Sequence, residues 1–492
     1  MRRSIEVKKP IQAVIVFSVL ALLPALVSVV LLPVYLKELK PEEYGTLTIL
    51  NLIGSFYAAV SIAQINISAS TNYFDYTKEP DKLQKFKSTL FTFSLSIASA
   101  TFFVFCLVGL LFFDSFTKSE SIGFIPLGFM VLVTQYMAQL KSVYLVFVKN
   151  EYQLKEFIAY SVSLLFLNSS FQYYLIVVEK LGVTGSLLGA MISNIIVTVT
   201  LLIIQRRLID FSPDKQMMKS ALRLSIPFVP IILMSWLFAS GDRFLLERLT
   251  NLTTVGRYAV LIGLLLLADN VFSSLGNAFR PIIFKSFQIL GARELTSIRQ
   301  FAALYAKFGL FTLSGVVLVG SNISIITSNE KYLSVVPLFT LGALVLLPKL
   351  ILRIPYLQLM FNKDTRLIAW MTLASMVVLV VSLTAFIPSQ GINGALYAIG
   401  LSNTCYLLLF YFFAQRRFPL PPMIFRDALL IIAGYLLIVG LFYLGHQTGM
   451  FPINLYGLFQ FIAVTSFLLL LFFRYPNSGN KLAGVFQKSK TC

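Results

Sequence analysis

Four basic side chains fall inside stretches of sequence that are otherwise apolar, and they are the residues best suited to hold a charged ligand. They are Lys141, Arg243, Lys349 and Arg353. Ammonium and guanidinium groups form charge-assisted hydrogen bonds to phosphate and carboxylate oxygens, so these residues are candidates for binding an anionic substrate. Lys349 and Arg353 are four residues apart, which places them on one face of a helix. Two structural alternatives stay open: Lys141 and Arg353 could extend toward lipid headgroups, and Arg243 could pair with Asp242.

Two carboxylates lie in stretches of the same kind. Asp269 falls near the middle of its apolar run, beside Asn270, and Asp242 lies nearer the end of another. A carboxylate inside a bilayer is costly unless it is paired or hydrated, and burial and nearby charge both move its protonation equilibrium. We therefore interpret Asp269 and Asp242 as candidates for a coupling step linked to a proton or another cation. Gln64, in a further apolar run, is a candidate substrate contact or an interhelix hydrogen bond.

Patterns for catalysis and for metal binding are missing from the sequence. It contains no G-x-x-x-x-G-K-[S/T] phosphate-binding loop, so no ATPase is built into the chain. The single histidine, His446, and the three cysteines form no cluster with metal-ligand spacing. The sequence therefore predicts no catalytic residue, no metal site and no cofactor.

Membrane-spanning helices must position these candidate residues. Hydrophobic residues make up 57% of the 492-residue chain and charged residues only 12%, a composition unlike that of soluble domains. A span needs about 20 mostly apolar residues. Fourteen stretches meet this requirement: 11–33, 46–69, 90–113, 122–148, 157–178, 183–204, 224–249, 256–279, 303–326, 335–359, 366–388, 391–413, 427–445 and 453–473. The sequence predicts an all-α polytopic membrane protein with about fourteen transmembrane helices.

The distribution of basic residues predicts the orientation of these spans. Of the 40 Lys and Arg residues, 32 fall in the termini or are counted with alternate loops on one side, among them Lys141, Lys349 and Arg353 of the adjoining spans, and eight fall at or near the other side. Because cytoplasmic loops carry the excess of Lys and Arg, both termini are predicted to be cytoplasmic. The net charge of +19 fits short basic loops that face anionic headgroups, so we expect no nucleic-acid partner.

The sequence repeats itself at an offset of about 210 residues. The matched positions include Gly182 with Gly391, Gly185 with Gly394, and Asn194 with Asn403. The repeat predicts two six-helix lobes, 1–210 and 211–418, and an appended helix pair with a cytoplasmic tail over 419–492. In transporters built from such parallel repeats, the substrate site lies near the repeat interface.

The region from the seventh to the eighth span carries three short motifs. They are Ser225-Ile-Pro-Phe-Val-Pro230, Gly241-Asp-Arg-Phe-Leu-Leu246 and Val255-Gly-Arg-Tyr-Ala259. Together with Tyr44-Gly45 after the first span, they resemble motifs of the O-antigen and polysaccharide flippases (Wzx-type). These flippases belong to the multidrug/oligosaccharidyl-lipid/polysaccharide exporter superfamily. This sequence departs from their pattern at Val260, where alanine is expected.

The resemblance implies both a fold and a function. It implies two lobes around a V-shaped cavity, with spans 1, 2, 7 and 8 prominent in the wall. It also implies transport of an undecaprenyl-pyrophosphate-linked oligosaccharide from the inner to the outer leaflet of the bacterial cytoplasmic membrane. Without an ATPase, the energy would come from an H⁺ or Na⁺ gradient or from removal of the product. A polysaccharide polymerase is a candidate partner.

Two other functions stay open. A cation-coupled multidrug antiporter of the same superfamily would favour a mostly acidic cavity, whereas the deep cations outnumber the deep anions in this sequence. A membrane-embedded glycosyltransferase or polymerase would need a large outer loop, and no predicted outer loop exceeds about 15 residues. The sequence therefore predicts a transporter and not an enzyme.

Overall fold

The computed structural model describes residues 31–116, 122–209, 213–289, 291–323, 330–447 and 453–474. Helices, single helical turns and short links account for these residues, and no β-strand occurs among them. The predicted all-α polytopic fold is confirmed.

The chain divides into two compact units, Met1–Gly256 and Arg257–Cys492. The helices of the first unit are α1 (residues 31–38), α2 (Pro41–Val60), α3 (Ile65–Thr71), α4 (Pro80–Phe116), α5 (Phe129–Leu140), α6 (Ser142–Asn150), α7 (Leu154–Tyr173), α8 (Gly182–Ile204), α9 (Lys215–Ser225) and α10 (Phe228–Leu249). Helix α11 (Leu252–Ile289) begins in the first unit and continues into the second. The lobe boundaries at 210 and 418 stay a prediction.

The second unit continues with six helices after α11. They are α12 (Ala292–Ser321), α13 (Leu338–Phe361), α14 (Thr365–Gln390), α15 (Ile392–Arg417), α16 (Met423–Gln447) and α17 (Ile453–Arg474). Helix α15 packs against α13 and α14, while α16 and α17 pack against α12. Arg299 on α12 forms two hydrogen bonds of 2.6 and 2.7 Å to the carboxylate of Asp427 on α16. The last helix pair is thereby attached to α12 by an ion pair as well as by packing.

Eleven of the described helical segments are long and apolar enough to cross a membrane, and the bent pair α2–α3 brings the number to as many as twelve. These twelve correspond to the second to thirteenth predicted spans. The fourteenth falls on α17, and the first, 11–33, lies almost entirely outside the described residues. Large apolar side chains stay exposed on the helices, such as Phe103 at 70% and Leu437 at 69%. Such surfaces are typical of helices that face lipid, and the protein is a multi-pass membrane protein.

The second predicted span, 46–69, is broken and not one continuous helix. The chain bends by 51° between α2 and α3, and Gln64 at the break has a left-handed backbone with φ of 57°. Gln64 Nε2 donates to the carbonyl oxygen of Ala59 at 2.7 Å, and Thr101 Oγ1 donates to that of Ser61 at 2.9 Å. A helix break at membrane depth is tolerated when neighbouring side chains satisfy the freed backbone groups, as they do here.

Matched positions of the sequence repeat adopt matched structures. Gly182 at the start of α8 and Gly391 just before α15 both have φ of +55°, a left-handed conformation that glycine adopts without strain. Three residues later, a Cβ at Gly185 would lie 2.7 Å from a backbone oxygen of the preceding helical segment, and a Cβ at Gly394 would lie 2.3 Å from one. Each motif therefore combines a turn glycine with a glycine that permits close helix packing.

Candidate functional site

The ion pair between Asp269 and Lys349 is the centre of the candidate site in the second unit. Lys349 Nζ on α13 donates to Asp269 Oδ1 on α11 at 2.9 Å. Lys349 is 26% exposed and Asp269 31% exposed, so neither side chain is sealed from its surroundings. From the sequence, different roles are predicted for the two residues, substrate binding for Lys349 and coupling for Asp269. The structure brings them together as one pair.

Arg353 lies one helical turn from Lys349 and also reaches α11. Its Nη2 donates to Asn277 Oδ1 at 2.9 Å. The guanidinium packs against Gly276, where a Cβ would stand 2.1 Å from Arg353 Nε and 2.3 Å from Cζ. Glycine at position 276 therefore leaves the space that the guanidinium occupies. The side chain is directed onto α11 by this packing and by the bond to Asn277.

A third cation joins this site from α11. Arg280 Nη1 donates to Met360 Sδ at 3.7 Å, and the positive charge of Arg280 acts on that of Arg353. We define Asp269, Arg280, Lys349 and Arg353 as the cationic cluster. It contains three positive side chains and one carboxylate, so it carries a formal excess of positive charge. Such an arrangement suits a ligand with several negatively charged oxygens.

Helix α13 carries two of these cations and runs through two prolines. Pro348 and Pro355 lie inside a helix that continues from Leu338 to Phe361. Proline removes a backbone donor, so a carbonyl in the preceding turn loses its partner. In the turn before Pro348, Asn403 Nδ2 on α15 donates to the carbonyl oxygen of Val345 at 2.9 Å. The carbonyl oxygen that Pro348 leaves without an N–H partner is that of Leu344, so the bond from Asn403 links α15 to the backbone of α13 beside that position.

Lys141 is a buried cation in the first unit. It sits at the break between α5 and α6, and 2% of its surface is exposed. Its Nζ donates to Asn194 Oδ1 at 2.8 Å and to Thr198 Oγ1 at 3.0 Å, both on α8, and lies 5.7 Å from the centre of the Tyr160 ring. Lys141 is therefore held by α8 and does not extend toward headgroups, and the predicted span 122–148 corresponds to one candidate span, Phe124–Asn150.

Asp242 and Arg243 are buried on α10, at 4% and 7% exposure. The backbone N–H of Arg243 donates to Asp242 Oδ1 at 2.9 Å, whereas the nearest charged atoms of the two side chains are 3.9 Å apart. Arg243 Nη1 also donates to the carbonyl oxygen of Ala239 at 3.0 Å. These contacts are local to α10, and the predicted roles in substrate binding and coupling stay predictions.

Gln64 borders a cavity of about 450 Å³ in the first unit. The polar and aromatic side chains that line this cavity are Ser55, Gln64, Asn66, Gln139, Ser235 and Trp236. They come from α2, α3, α5, α10 and the break between α2 and α3. The described residues that line the cavity include no charged side chain. We call it the amide cavity, after its three carboxamide side chains.

Solved structures identify the fold that holds these sites. A lipid II flippase, MurJ, in an inward closed conformation gives a TM-score of 0.65 at 12% identity, covering 94% of this chain and 99% of that one. An inward-facing multidrug resistance MATE family transporter of the MOP superfamily gives 0.61 at 14% identity, covering 78% and 92%. A MOP superfamily transporter from Pyrococcus furiosus gives 0.54 at 13% identity, covering 83% and 96%. The chain has the fold of MOP superfamily transporters.

This likeness concerns the fold alone. Comparison with family models and with curated protein sequences found no match. The identities of 12% to 14% describe a shared fold. The Wzx-type subfamily and the nature of the substrate therefore stay predictions.

Several residues of these sites were not singled out by the sequence. Gly276 and Asn277 position Arg353, and only the approach of α13 reveals this role. The sequence also did not indicate that Trp236 lines the cavity or that Asn194 binds Lys141. Asn194 was identified only as a position of the repeat. Within the described residues, no group of three or more His, Cys, Asp and Glu side chains is placed to hold a metal ion.

Proposed function

We propose that this protein is a flippase for undecaprenyl-pyrophosphate-linked oligosaccharides, the repeat units of O-antigen or another surface polysaccharide. It moves them from the inner to the outer leaflet of the bacterial cytoplasmic membrane by alternating access. The observation that carries the proposal is the cationic cluster, because two cations and one carboxylate inside membrane-spanning helices, with a third cation just beyond one span, are costly without an anionic ligand. The fold shared with a lipid II flippase supports the proposal.

The donors that remain in the cluster suit a pyrophosphate. Arg353 has five N–H donors. Among the described residues, Asn277 accepts a hydrogen bond from one of them. Lys349 has three donors and gives one to Asp269. Arginine binds phosphate oxygens in a bidentate manner and lysine binds them as a point charge, so the two can hold neighbouring phosphates. Asp269 keeps Lys349 paired until a more highly charged anion competes for it.

The energy source of transport is inferred from the missing nucleotide-binding loop and from Asp269 in the cluster. Because the chain contains no nucleotide-binding loop, we propose that an H⁺ or Na⁺ gradient drives the cycle. Asp269 is the carboxylate beside the substrate cations and is our candidate for the coupling group. Binding of a cation at Asp269 releases Lys349 from its partner, which raises the positive charge that the phosphates meet.

A cation-coupled multidrug antiporter is the second candidate function. The fold shared with multidrug resistance MATE family transporters favours it, as does a carboxylate within the cluster. An organic cation would meet three like charges at this site, which disfavours its binding there. Removing the charge of Arg353 therefore distinguishes the two functions. A flippase needs Arg353 to bind its substrate, whereas an antiporter of cationic drugs does not.

The first prediction tests this role of Arg353. We expect Arg353→Ala to lower transport of a polyprenyl-pyrophosphate oligosaccharide into the outer leaflet of proteoliposomes about tenfold, since hydrogen bonds to charged groups contribute about 1.5–3 kcal/mol. Arg353→Lys keeps the charge and should retain more activity than the alanine variant. Arg366→Ala, which removes an exposed arginine at the start of α14, is the matched control and should transport normally.

The same vesicles are assayed for uptake of a cationic dye. Normal oligosaccharide transport by Arg353→Ala, at the wild-type level of inserted protein, would contradict the flippase function. Coupled dye uptake that persists in this variant while oligosaccharide transport is absent from the wild type would establish the antiporter instead.

A further inference from the structure

The amide cavity of the first unit contrasts in chemistry with the cationic cluster of the second. Three carboxamides, two hydroxyl groups and one indole ring line it, and its described lining carries no charge. Carboxamides both donate and accept hydrogen bonds, and hydroxyl groups do the same. A ligand that suits this lining is uncharged and rich in hydroxyl or amide groups. A phosphate would find no cation here, and an organic cation would find no carboxylate.

We propose that the amide cavity binds the uncharged sugar rings of the transported lipid-linked oligosaccharide. This inference rests on the proposed function and adds a recognition site for the carbohydrate to the one proposed for the pyrophosphate. The volume of about 450 Å³ lies within the range of small-molecule sites. Sugar hydroxyl groups satisfy carboxamides in both directions, and the C–H face of a sugar ring packs against an aromatic ring.

Hydrogen-bonding capacity is left over in the cavity. Asn66 Oδ1 is buried and has no hydrogen-bond partner among the described residues. Gln139 makes no side-chain hydrogen bond within the described part of the chain, whereas Gln64 uses its Nε2 for the carbonyl oxygen of Ala59 and keeps its own carbonyl oxygen. Polar atoms without partners are costly in an apolar surrounding, so an apolar occupant would leave them unsatisfied. Hydroxyl groups of a sugar would satisfy them.

Trp236 provides a fixed aromatic surface. Its Nε1 donates to Ser55 Oγ at 2.8 Å, and its ring centre lies 5.0 Å from that of Phe56 at an interplanar angle of 59°. The hydrogen bond and the ring contact set the orientation of the indole, while its ring still borders the cavity. An aromatic platform of this kind orders a ligand at little cost in side-chain freedom.

The experiment uses the tryptophan of the cavity as its reporter. The chain has two tryptophans, and the other one, Trp370 on α14, is 69% exposed. In the Trp370→Phe protein in lipid vesicles that contain no other protein, the emission therefore reports Trp236 alone. Two probes are titrated: polyprenyl pyrophosphate that carries one N-acetylhexosamine, and polyprenyl pyrophosphate without a sugar. We expect only the glycosylated probe to change the Trp236 emission.

Side-chain variants then separate the sugar site from the phosphate site. Gln139→Ala should weaken binding of the glycosylated probe about five- to tenfold, the loss expected for one or two hydrogen bonds, and should leave the sugar-free probe unaffected. Gln135→Ala, the same change one turn earlier on α5 and outside the cavity lining, is the matched control and should bind both probes normally. Arg353→Ala should weaken both probes by the same factor.

The outcomes distinguish the two proposals. If both probes change the Trp236 emission equally, or Gln139→Ala weakens both equally, the sugar site is contradicted and the flippase function stands. If neither probe binds the Trp370→Phe protein, both proposals are contradicted. The emission measurement needs no change in the cavity itself, so a folding defect of Gln139→Ala would not decide the result.

Discussion

Asp269 determines the charge of the cationic cluster, because it is the carboxylate that faces Lys349 there. Its carboxylate offsets one of the three cations, and a cation bound at this carboxylate would cancel that offset. In the transport cycle that we propose, a pyrophosphate would meet a more positive site when a cation is bound at Asp269. A ligand shifts a two-state equilibrium only through a difference in affinity between the states, and this change of charge supplies such a difference.

At this scale the second prediction concerns Asp269→Asn, which keeps the size of the side chain and fixes its charge at zero. We expect roughly tenfold slower transport, since a charged hydrogen bond of about 1.5–3 kcal/mol is lost, and a weaker response to an imposed pH gradient. Asp242→Asn on α10 is the comparison and should respond more like the wild type. Proteoliposome transport with and without the gradient is the measurement. Wild-type transport with an unchanged gradient response in Asp269→Asn would make this residue a structural partner of Lys349.

At the scale of helices, the two halves of the repeat pack equivalent helices together, but the hydrogen bonds between these helices differ. Asn194 on α8 accepts a hydrogen bond from Lys141 at the end of α5, whereas its match Asn403 on α15 donates to the carbonyl oxygen of Val345 on α13. A carboxamide has both a donor and an acceptor, so one residue type serves both partners. The two halves thus share helix packing while their charged residues differ.

The repeated glycines give the third prediction. Gly394→Ala should destabilise the protein by roughly 1–3 kcal/mol, because the new Cβ would meet a backbone oxygen at 2.3 Å and α15 would have to shift. Gly315→Ala on α12 is the matched control: nothing lies within 4 Å of its Cβ position, and alanine is the better helix former. The thermal midpoint of each purified variant is measured. Equal midpoints for both variants would show that the close approach at Gly394 has no structural importance.

At the scale of the whole molecule, the sequence predicted the helices much better than their contacts. Segments such as 183–204 and 391–413 coincide closely with α8 and α15, because an apolar run of this length can be satisfied in lipid only as a helix. The break before α3 was missed, since neither proline nor glycine marks it. Helical periodicity placed Lys349 and Arg353 on one face of α13 but does not say which helix that face meets. The pairing with Asp269, 80 residues away in sequence, therefore required the structure.

Orientation in the membrane gives the fourth prediction. The 32 to 8 division of basic residues predicts that both termini are cytoplasmic. Reporter fusions at Ser119, Gly391 and His446 should therefore read as external, and fusions at Lys82 and Pro213 as cytoplasmic. A single clear reversal at any of these positions would disprove the predicted arrangement of spans.

The packing of Arg353 against Gly276 has a consequence for conformational entropy. A free arginine side chain carries about 2 kcal/mol of rotamer entropy, which is lost when a ligand orders it. Here the bond to Asn277 and the space above Gly276 already hold the guanidinium before any ligand arrives. If Arg353 binds the substrate as proposed, the ordering cost falls on the folding of the protein and not on each transport cycle. Capture and release of an anion then require no reordering of this side chain.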